Sequence, residues 1–407
     1  MGTMMRAPTL CSRSAPHPSG TTTILFGAFG RHNFGDMLMP HVLTSMMGNG
    51  QRGIVYADLA AADMRPFGGV CVEAIGGLLR QQGRTNVVLV GGEVLGTPLG
   101  AAAGYIGVPM SSIVWDPAGP PSNLSAPDAR APAYVLDKGM FRNPGVFIAN
   151  SVGGGDPPEV VRRLRRYDFV GVRERYILRV LHKERVRATL TPDSVFALRF
   201  AFEARLASTP PASVLHVLQA CSRTGYVAVQ LKSAYLAHLP NASDVIRAAE
   251  AAAGAPVVLF RAGAAAGHDS LEAYDRAALP RLHVFDDLNI WSIVALISHA
   301  RLVVTTSLHV QIIAASWGVP RLQLSFSPKL DKNLAMFEST SLLGEGHGVI
   351  HPGRLNPADE VRGVWRAARW LLSPSGAPHV RNVSVPAALG RAYMASVRDW
   401  LPRVQGR

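Results

Sequence analysis

The sequence predicts an α/β protein built from two doubly wound parallel-sheet halves facing a cleft. Three observations carry this. Short β-branched and apolar runs alternate along the chain with helix-patterned segments of roughly ten to fifteen residues. Glycine clusters follow two of the runs at the point where strand gives way to helix, as in Gly27–Asp36 and Gly91-Gly92. The composition breaks at Ser208-Thr209-Pro210-Pro211, and the same rhythm resumes beyond it without a close internal repeat.

In order, Thr22–Phe26 is the first strand. A helix follows through Leu38, Val42, Leu43 and Met46, with Pro40 expected in its first turn because proline lacks an N–H. Gly53–Asp58 and Asn86–Gly92 are strands, and Val70–Arg80 between them has a helical pattern. Val94–Trp115 carries no charge over 22 residues, but its glycines and prolines argue for loop and short elements and against a membrane span. Asp116–Pro132 has no period and reads as a binding loop or a disordered insertion. Gly145–Val152 and Asp168–Val172 are strands. The helices beside them carry Arg162, Arg163, Arg165 and Arg166, then Arg175, Arg179, Lys183, Arg185 and Arg187. Such faces are ordinarily solvated, and the alternative is a surface set against anionic lipid. In the second half Tyr226–Leu231, Pro256–Phe260, Leu282–Phe285 and Leu302–Val304 are strands, as is Leu322–Phe326. Ser243–Ala253, Asp287–His299, Asp359–Leu372 and Pro386–Leu401 are helices. The expected division is a disordered leader at 1–20, a first domain at 21–207, a second at 212–375 and a helical segment at 376–407.

At 407 residues and 48% hydrophobic content, the chain can bury full cores. Cys11, Cys71 and Cys221 show neither metal spacing nor pairing logic and fit free thiols in a reducing compartment. The net charge of +13, with only five lysines, favours anionic partners. Nucleic acid is set aside, because the cations lack interleaved aromatics and no reading motif is present. Met1–Gly20 has no apolar core of a signal peptide.

The stretch most ready for chemistry is Thr305–Pro320. Thr305, Thr306 and Ser307 offer N-caps at the end of a strand, and a helix begins at Leu308 with His309 in its first turn. Gly318 and Pro320 end that helix. A strand's carboxyl end meeting a helix's amino end binds anions in parallel sheets. His309 there can hold an anion or move a proton, although Ile312 and Ile313 share its face and leave a core histidine open. Lys329 follows the next strand at the same edge, where an ordinary surface lysine is the alternative. Gly27, Gly30 and Gly35 do not form the dinucleotide fingerprint. Asn33 and Asp36 beside them can cap a helix or bond a hydroxylated ligand. Gly91-Gly92 serves either a turn or a close approach to a ligand. No metal spacing appears.

Four pieces in this order resemble the polysaccharide pyruvyl transferase family. Ile24–Asp36, ending in Asn33-Phe34-Gly35-Asp36, is similar to its first strand and Asn-x-Gly-Asp loop. Val87–Gly92 is similar to its strand ending in paired glycines, and Phe169–Arg175 with Pro192-Asp193 to its arginine-bearing strand and downstream aspartate. Ile297–Lys329 is similar to its longest block, with Leu-His, an alanine-rich helix, Gly-Val-Pro and Pro-Lys. Two positions depart: Ser307 stands where the stricter pattern has arginine, and Glu174 where aspartate is usual. A Ser-Leu-His variant lies within the family's range.

The resemblance implies two Rossmann-like domains in a GT-B-like arrangement, the first on the acceptor side and the second on the donor side. It implies transfer of pyruvyl from phosphoenolpyruvate to two hydroxyls of a sugar, as a cyclic ketal, in exopolysaccharide or cell-surface glycan synthesis. No cofactor or metal is implied. His309 would be the acid and Asp36 a base, with Asn33, Gly35, Gly92, Arg173, Thr306, Ser307, Leu308 and Lys329 binding substrates. Arg173, Lys329 or Arg321 would replace the missing arginine, and Arg173→Ala is expected to raise the donor KM more than Lys232→Ala. The expected location is cytoplasmic, with a lipid-linked acceptor and contact with the membrane's inner face left open. Two alternatives stand beside this reading. One is a nucleotide-sugar glycosyltransferase on the same fold, which would use a ribose-binding carboxylate such as Glu338 or Glu345. The other is a non-catalytic protein of a glycan pathway.

Overall fold

The computed structural model describes residues 20–48, 53–113, 128–155, 157–206, 209–238, 242–265, 268–279, 283–324, 348–350, 357–375 and 384–406. Lys329, Glu338 and Glu345 lie outside these residues, as do almost all of the expected leader and most of Asp116–Pro132. Contacts divide the chain into two units. The first takes Met1–His32, Asp36–Asp193 and Met394–Arg407, and the second Asn33–Gly35 and Ser194–Tyr393.

Among the described residues the first unit holds eight strands: β1 (Thr22–Phe26), β2 (Ile54–Asp58), β3 (Ala62–Asp63), β4 (Cys71–Ala74), β5 (Thr85–Val90), β6 (Pro144–Val152), β7 (Phe169–Val172) and β8 (Thr189–Leu190). Their order is β3-β4-β2-β1-β5-β6-β7-β8. All pairs are parallel except β3 with β4, so the wholly parallel expectation is corrected at one edge. Both faces of the central strands are buried, with Ile24, Leu25 and Phe26 all at 0% exposure, which is why consecutive residues in these runs are apolar instead of alternating with polar ones. The helices of this unit are α1 (Phe34–Met47), α2 (Ile75–Leu78), α3 (Leu99–Ile106), α4 (Pro158–Leu164) and α5 (Arg175–Lys183).

Two local expectations change. Val70–Arg80 is not one helix: Glu73 and Ala74 pair with Ala57 and Asp58 of β2, and this strand pairing overrides the periodicity. Gly76 and Gly77 then sit within the four-residue α2, where glycine disfavours extension. Pro40 lies inside α1 and not in its first turn, so the helix loses the hydrogen bond that residue 40 would donate to the Asp36 carbonyl. Cys221 is free and buried, and Cys11 lies outside the described residues.

The second unit has α6 (Leu198–Leu206), α7 (Ala212–Ala220), β9 (Val227–Gln230), α8 (Ser233–His238), α9 (Ala242–Ala253), β10 (Val257–Phe260), α10 (Leu271–Arg276), β11 (His283–Phe285), α11 (Ile290–Ser298), β12 (Leu302–Thr305), α12 (Leu308–Ser316), β13 (Arg321–Leu324), β14 (Gly348–Ile350), α13 (Pro357–Leu371) and the first half of α14 (Ser384–Gln405). Its sheet is parallel throughout, in the order β11-β10-β9-β12-β13-β14. The change of unit falls at Asp193/Ser194 and not at Ser208–Pro211. The reason is local: the turn Ser194–Ala197 is buried, and Arg199 donates through Nη1 to the Ser316 carbonyl at 2.9 Å. The closing segment is not separate either. From Met394 on, α14 belongs to the first unit, where Asn86 donates to the Val404 carbonyl at 2.8 Å.

In each sheet the winding reverses once, between β1 and β5 in the first and between β9 and β12 in the second. The carboxyl ends of strands at such a reversal are where ligands bind in open α/β sheets. Among the described residues no helix is long and apolar enough to cross a membrane.

Candidate active site

In the second unit the reversal is a polar corner set in an apolar sheet. Thr305 on β12 is in register with Gln230 on β9 and with Gln323 on β13, so three polar side chains stand in a row at the carboxyl ends. All three are buried and need partners. Thr305 Oγ1 donates to Gln230 Oε1 at 2.5 Å and accepts from the Ser307 N–H at 2.9 Å. Gln230 Nε2 donates to Asp269 Oδ2 at 2.8 Å, and that oxygen also accepts from Ala262 N at 2.8 Å and Gly263 N at 3.3 Å. An amide nitrogen only donates and an ionised carboxylate only accepts, so the chain of bonds has a single direction. Thr306 Oγ1 accepts from the Lys232 N–H at 3.0 Å, which ties the ends of β9 and β12 together.

This network delivers the start of α12. Ser307 occupies the N-cap position, but its side chain makes no capping bond, contrary to the hydroxyl cap expected there. The N–H groups of Leu308, His309 and Val310 precede the first intrahelical donor, the Gln311 N–H, and the Ser307 side chain does not cap them. From Leu302 to Ser316 only Ser307 and His309 escape full burial. Ile312 and Ile313 are at 0% exposure. His309 is thus not part of the core that its sequence neighbours form.

The tripeptide Asn33–Gly35, counted with this unit, runs along the same edge of the sheet. Asn33 bridges Gly263 antiparallel, and the Phe34 N–H donates to the Ala262 carbonyl at 2.7 Å. Gly35 lies flat against the imidazole of His309: a Cβ at this position would overlap the ring at Nδ1 and Cγ. Glycine is needed here for close approach, and the histidine is what it approaches.

Burial raises the Asp269 carboxyl from its usual 3.8 to about 6, against the pull of the Gln230 and backbone N–H bonds and the Lys232 charge. A folded value above the unfolded one stabilises the protein fully below the unfolded value, and this contribution is lost as pH rises through about 6. Asp269→Asn removes the titration. The melting-temperature difference between the two proteins should therefore shift in the wild type's favour as pH falls from about 7 to about 5. A pH-independent difference would mean that Asp269 ionises normally.

In the first unit, Asp36 sits in the opening turn of α1, buried, with Arg31 Nη2 at 3.3 Å from its Oδ2. Gly92 has φ of +81°, and a Cβ there would stand 3.3 Å from Asp36 Oδ1. The loop is braced from β2: Asp58 accepts from the Gly30 N–H at 2.8 Å and the Leu59 N–H at 2.6 Å. Burial pushes the Asp58 carboxyl up to about 6, opposed by those two N–H bonds, the Arg31 charge and the Tyr134 hydroxyl.

Arg173 follows directly on β7. Its Nη1 donates to Asp193 Oδ2 at 2.8 Å, its Nε is 3.7 Å from Glu174 Oε1, and both Arg173 and Asp193 are buried. The guanidinium is committed to carboxylates of its own chain. Arg173→Ala should lower stability by about 3–5 kcal/mol in denaturant unfolding, because Asp193 is left as an uncompensated buried charge. A loss below about 1 kcal/mol would show that the pair does not brace this strand end. Arg321 starts β13 beside Val303, two residues before the Thr305–Gln323 row, and burial lowers its guanidinium to about 10.

The structure therefore gathers Asn33, Gly35, Thr306, Ser307, Leu308 and His309 at one edge, and brings Asp36 beside Gly92 at another. Sequence reading missed Gln230, Lys232, Asp269, Arg31 and Asp58. Gln230 and Asp58 had a signal, since each is the polar last residue of an apolar strand. Lys232, taken from the sequence as a neutral reference for Arg173, follows β9 at the reversal itself and is no neutral control.

A family model described as polysaccharide pyruvyl transferase matches residues 33–325. A search of curated proteins returns no match. Among solved structures, the chain is similar to a putative UDP-N-acetylglucosamine 2-epimerase from Listeria monocytogenes. That likeness has 12% identity and a TM-score of 0.57, over 95% of this chain and 98% of the other. It is also similar to the UDP co-structure of MnaA from S. aureus, with 11% identity and a TM-score of 0.57 over 95% and 97%. At these identities the likeness shows the fold alone, which is GT-B.

Proposed function

Because the chain belongs to the polysaccharide pyruvyl transferase family, we propose that it transfers pyruvyl from phosphoenolpyruvate to two hydroxyls of a sugar, forming a cyclic ketal and releasing phosphate. The acceptor would be a sugar unit of an exopolysaccharide or cell-surface glycan. The observation that carries this reading is the partly exposed His309 in the first turn of α12, at a helix start where the Ser307 side chain makes no capping bond.

The reaction makes demands that these groups can meet. A proton must reach the methylene carbon of the enol phosphate so that the neighbouring carbon becomes electrophilic; His309 supplies it. One hydroxyl then adds to that carbon, phosphate leaves, and the second hydroxyl closes the ketal. Of the two hydroxyl protons, one replaces the proton given by His309 and the other leaves with phosphate. The donor's anionic groups fit the amino end of α12, each contact contributing about 0.3–2 kcal/mol. Thr306, Ser307 and Leu308 shape that turn, and Lys329 would add a cation. Asn33 and Asp36 are assigned to the acceptor, Asp36 as base towards a hydroxyl, with Gly35 and Gly92 leaving room.

The test is phosphate release from phosphoenolpyruvate against a panel of glycosides, together with thermal shift in phosphoenolpyruvate, UDP and GDP. Stabilisation by phosphoenolpyruvate and glycoside-dependent phosphate release are expected. Stabilisation by UDP or GDP alone would replace this reading with nucleotide-sugar chemistry.

A further inference from the structure

The basic residues of α4 and α5 look alike in sequence and behave differently in the structure. On and after α4 each arginine has an acidic partner: Arg162 and Arg163 share Glu159, each at 2.7 Å, Arg165 reaches Glu184 at 3.3 Å and Arg166 reaches Asp137 at 2.8 Å. On α5 the exposed positions are Arg175, Tyr176, Arg179, His182 and Lys183, which fall within about 120° of the helix circumference. Ile177 and Leu181 take the buried side. Exposed Arg185 and Arg187 continue the face beyond the helix. Among the described residues Arg179, Lys183, Arg185 and Arg187 form no ion pair.

At the carboxyl end of α5 this face opens into a recess of about 530 Å³ lined by His182, Arg185, Arg187 and Arg403. The recess has one acidic lining residue, Asp168, whose Oδ2 is already held by Lys138 Nζ at 2.8 Å and the Phe147 N–H at 2.7 Å. Arg403 is fixed there by its bond to the Asp168 carbonyl at 2.9 Å. Phe169 and Thr189 in the lining begin β7 and β8, so the recess is at the amino edge of the first sheet, the opposite edge from Gly92 and Arg173.

We propose that the exposed face of α5 docks the first unit on an anionic phospholipid surface, with the recess taking a headgroup phosphate. The charge complementarity is extended, running the length of α5 and on to Arg187, which suits a plane of phosphates better than a single bound ion. Tyr176, 48% exposed on the same face, is an amphipathic side chain suited to the interfacial layer. The +13 net charge adds long-range attraction of the same sign.

The test is co-sedimentation of the full chain with phosphatidylglycerol/phosphatidylcholine vesicles and with pure phosphatidylcholine vesicles. The variant is Arg179→Glu/Lys183→Glu/Arg187→Glu. Its control is Arg362→Glu/Arg366→Glu/Arg369→Glu, which makes the same charge change on exposed positions of α13 in the second unit. The expected result is binding to the charged vesicles only, weakened about 100-fold or more by the α5 changes and far less by the α13 changes. Equal weakening by both would reduce the effect to net charge and overturn the proposal. So would binding to pure phosphatidylcholine, or capture by a soluble acidic polysaccharide with no preference for charged vesicles. Should the triple reversal fail to fold, Arg179→Gln/Lys183→Gln gives the same comparison at smaller effect, against Arg362→Gln/Arg366→Gln.

Discussion

His309→Ala should reduce phosphate release from phosphoenolpyruvate by about 10²–10⁴-fold, the usual contribution of a positioned acid, and leave the melting temperature little changed. The two expectations come from different facts. The loss of rate follows from removing the proton donor. The retained stability follows from partial exposure of His309, whose apolar neighbours Val310, Ile312 and Ile313 carry the packing of α12. Phosphate release at the wild-type rate would take His309 out of the mechanism. A large fall in melting temperature would instead mean that the ring is a structural element of the second unit.

Gly35→Ala should disable the same step without touching a reactive group. The added methyl would occupy the space of the imidazole, so the ring of His309 must turn aside. A partly exposed side chain can turn at modest cost in stability, whereas a misplaced acid costs rate directly. A drop in phosphate release of about 10²-fold or more, with donor-induced stabilisation retained, is the expected pattern. Gly35→Ala at full activity would show that the ring position beside Gly35 is not the working one. Replacing Gly77, where an added Cβ meets nothing within 4 Å, serves as the control for a generic glycine substitution.

Strands were the most legible part of the chain, because buried parallel strands are continuous β-branched and apolar runs, and Thr22–Phe26, Val257–Phe260 and Leu302–Thr305 need only local composition to be seen. What failed were segments whose state is decided by a partner distant in sequence. Cys71–Ala74 becomes a strand because β2 lies alongside it, and nothing within Val70–Arg80 announces β2. The boundary between units was misread for a similar reason: Ser208–Pro211 is compositionally abrupt, but the packing has already changed at Ser194.

The candidate site shows the same division. The β12–α12 corner could be read locally, since strand, hydroxyl run, histidine and terminating glycine are contiguous. Asp269 could not. It enters the corner through Gln230 and Thr305 and through the Ala262 and Gly263 N–H groups, all on other segments of chain. The pairing of Arg173 with Asp193 was likewise invisible locally, because charge pairing is settled by which side chains meet and not by the residue type.

The assignment of Asn33–Gly35 to the second unit has a practical meaning for anyone cutting this protein into pieces. A fragment starting at Ser194 would contain every strand and helix of the second sheet, yet it would lack the neighbour of Gly263, the donor to the Ala262 carbonyl and the surface on which His309 rests. Such a fragment is a different object from the intact unit, with a bare sheet edge and a histidine relieved of its constraint. A functional map of the second unit therefore has to include three residues encoded near the start of the chain.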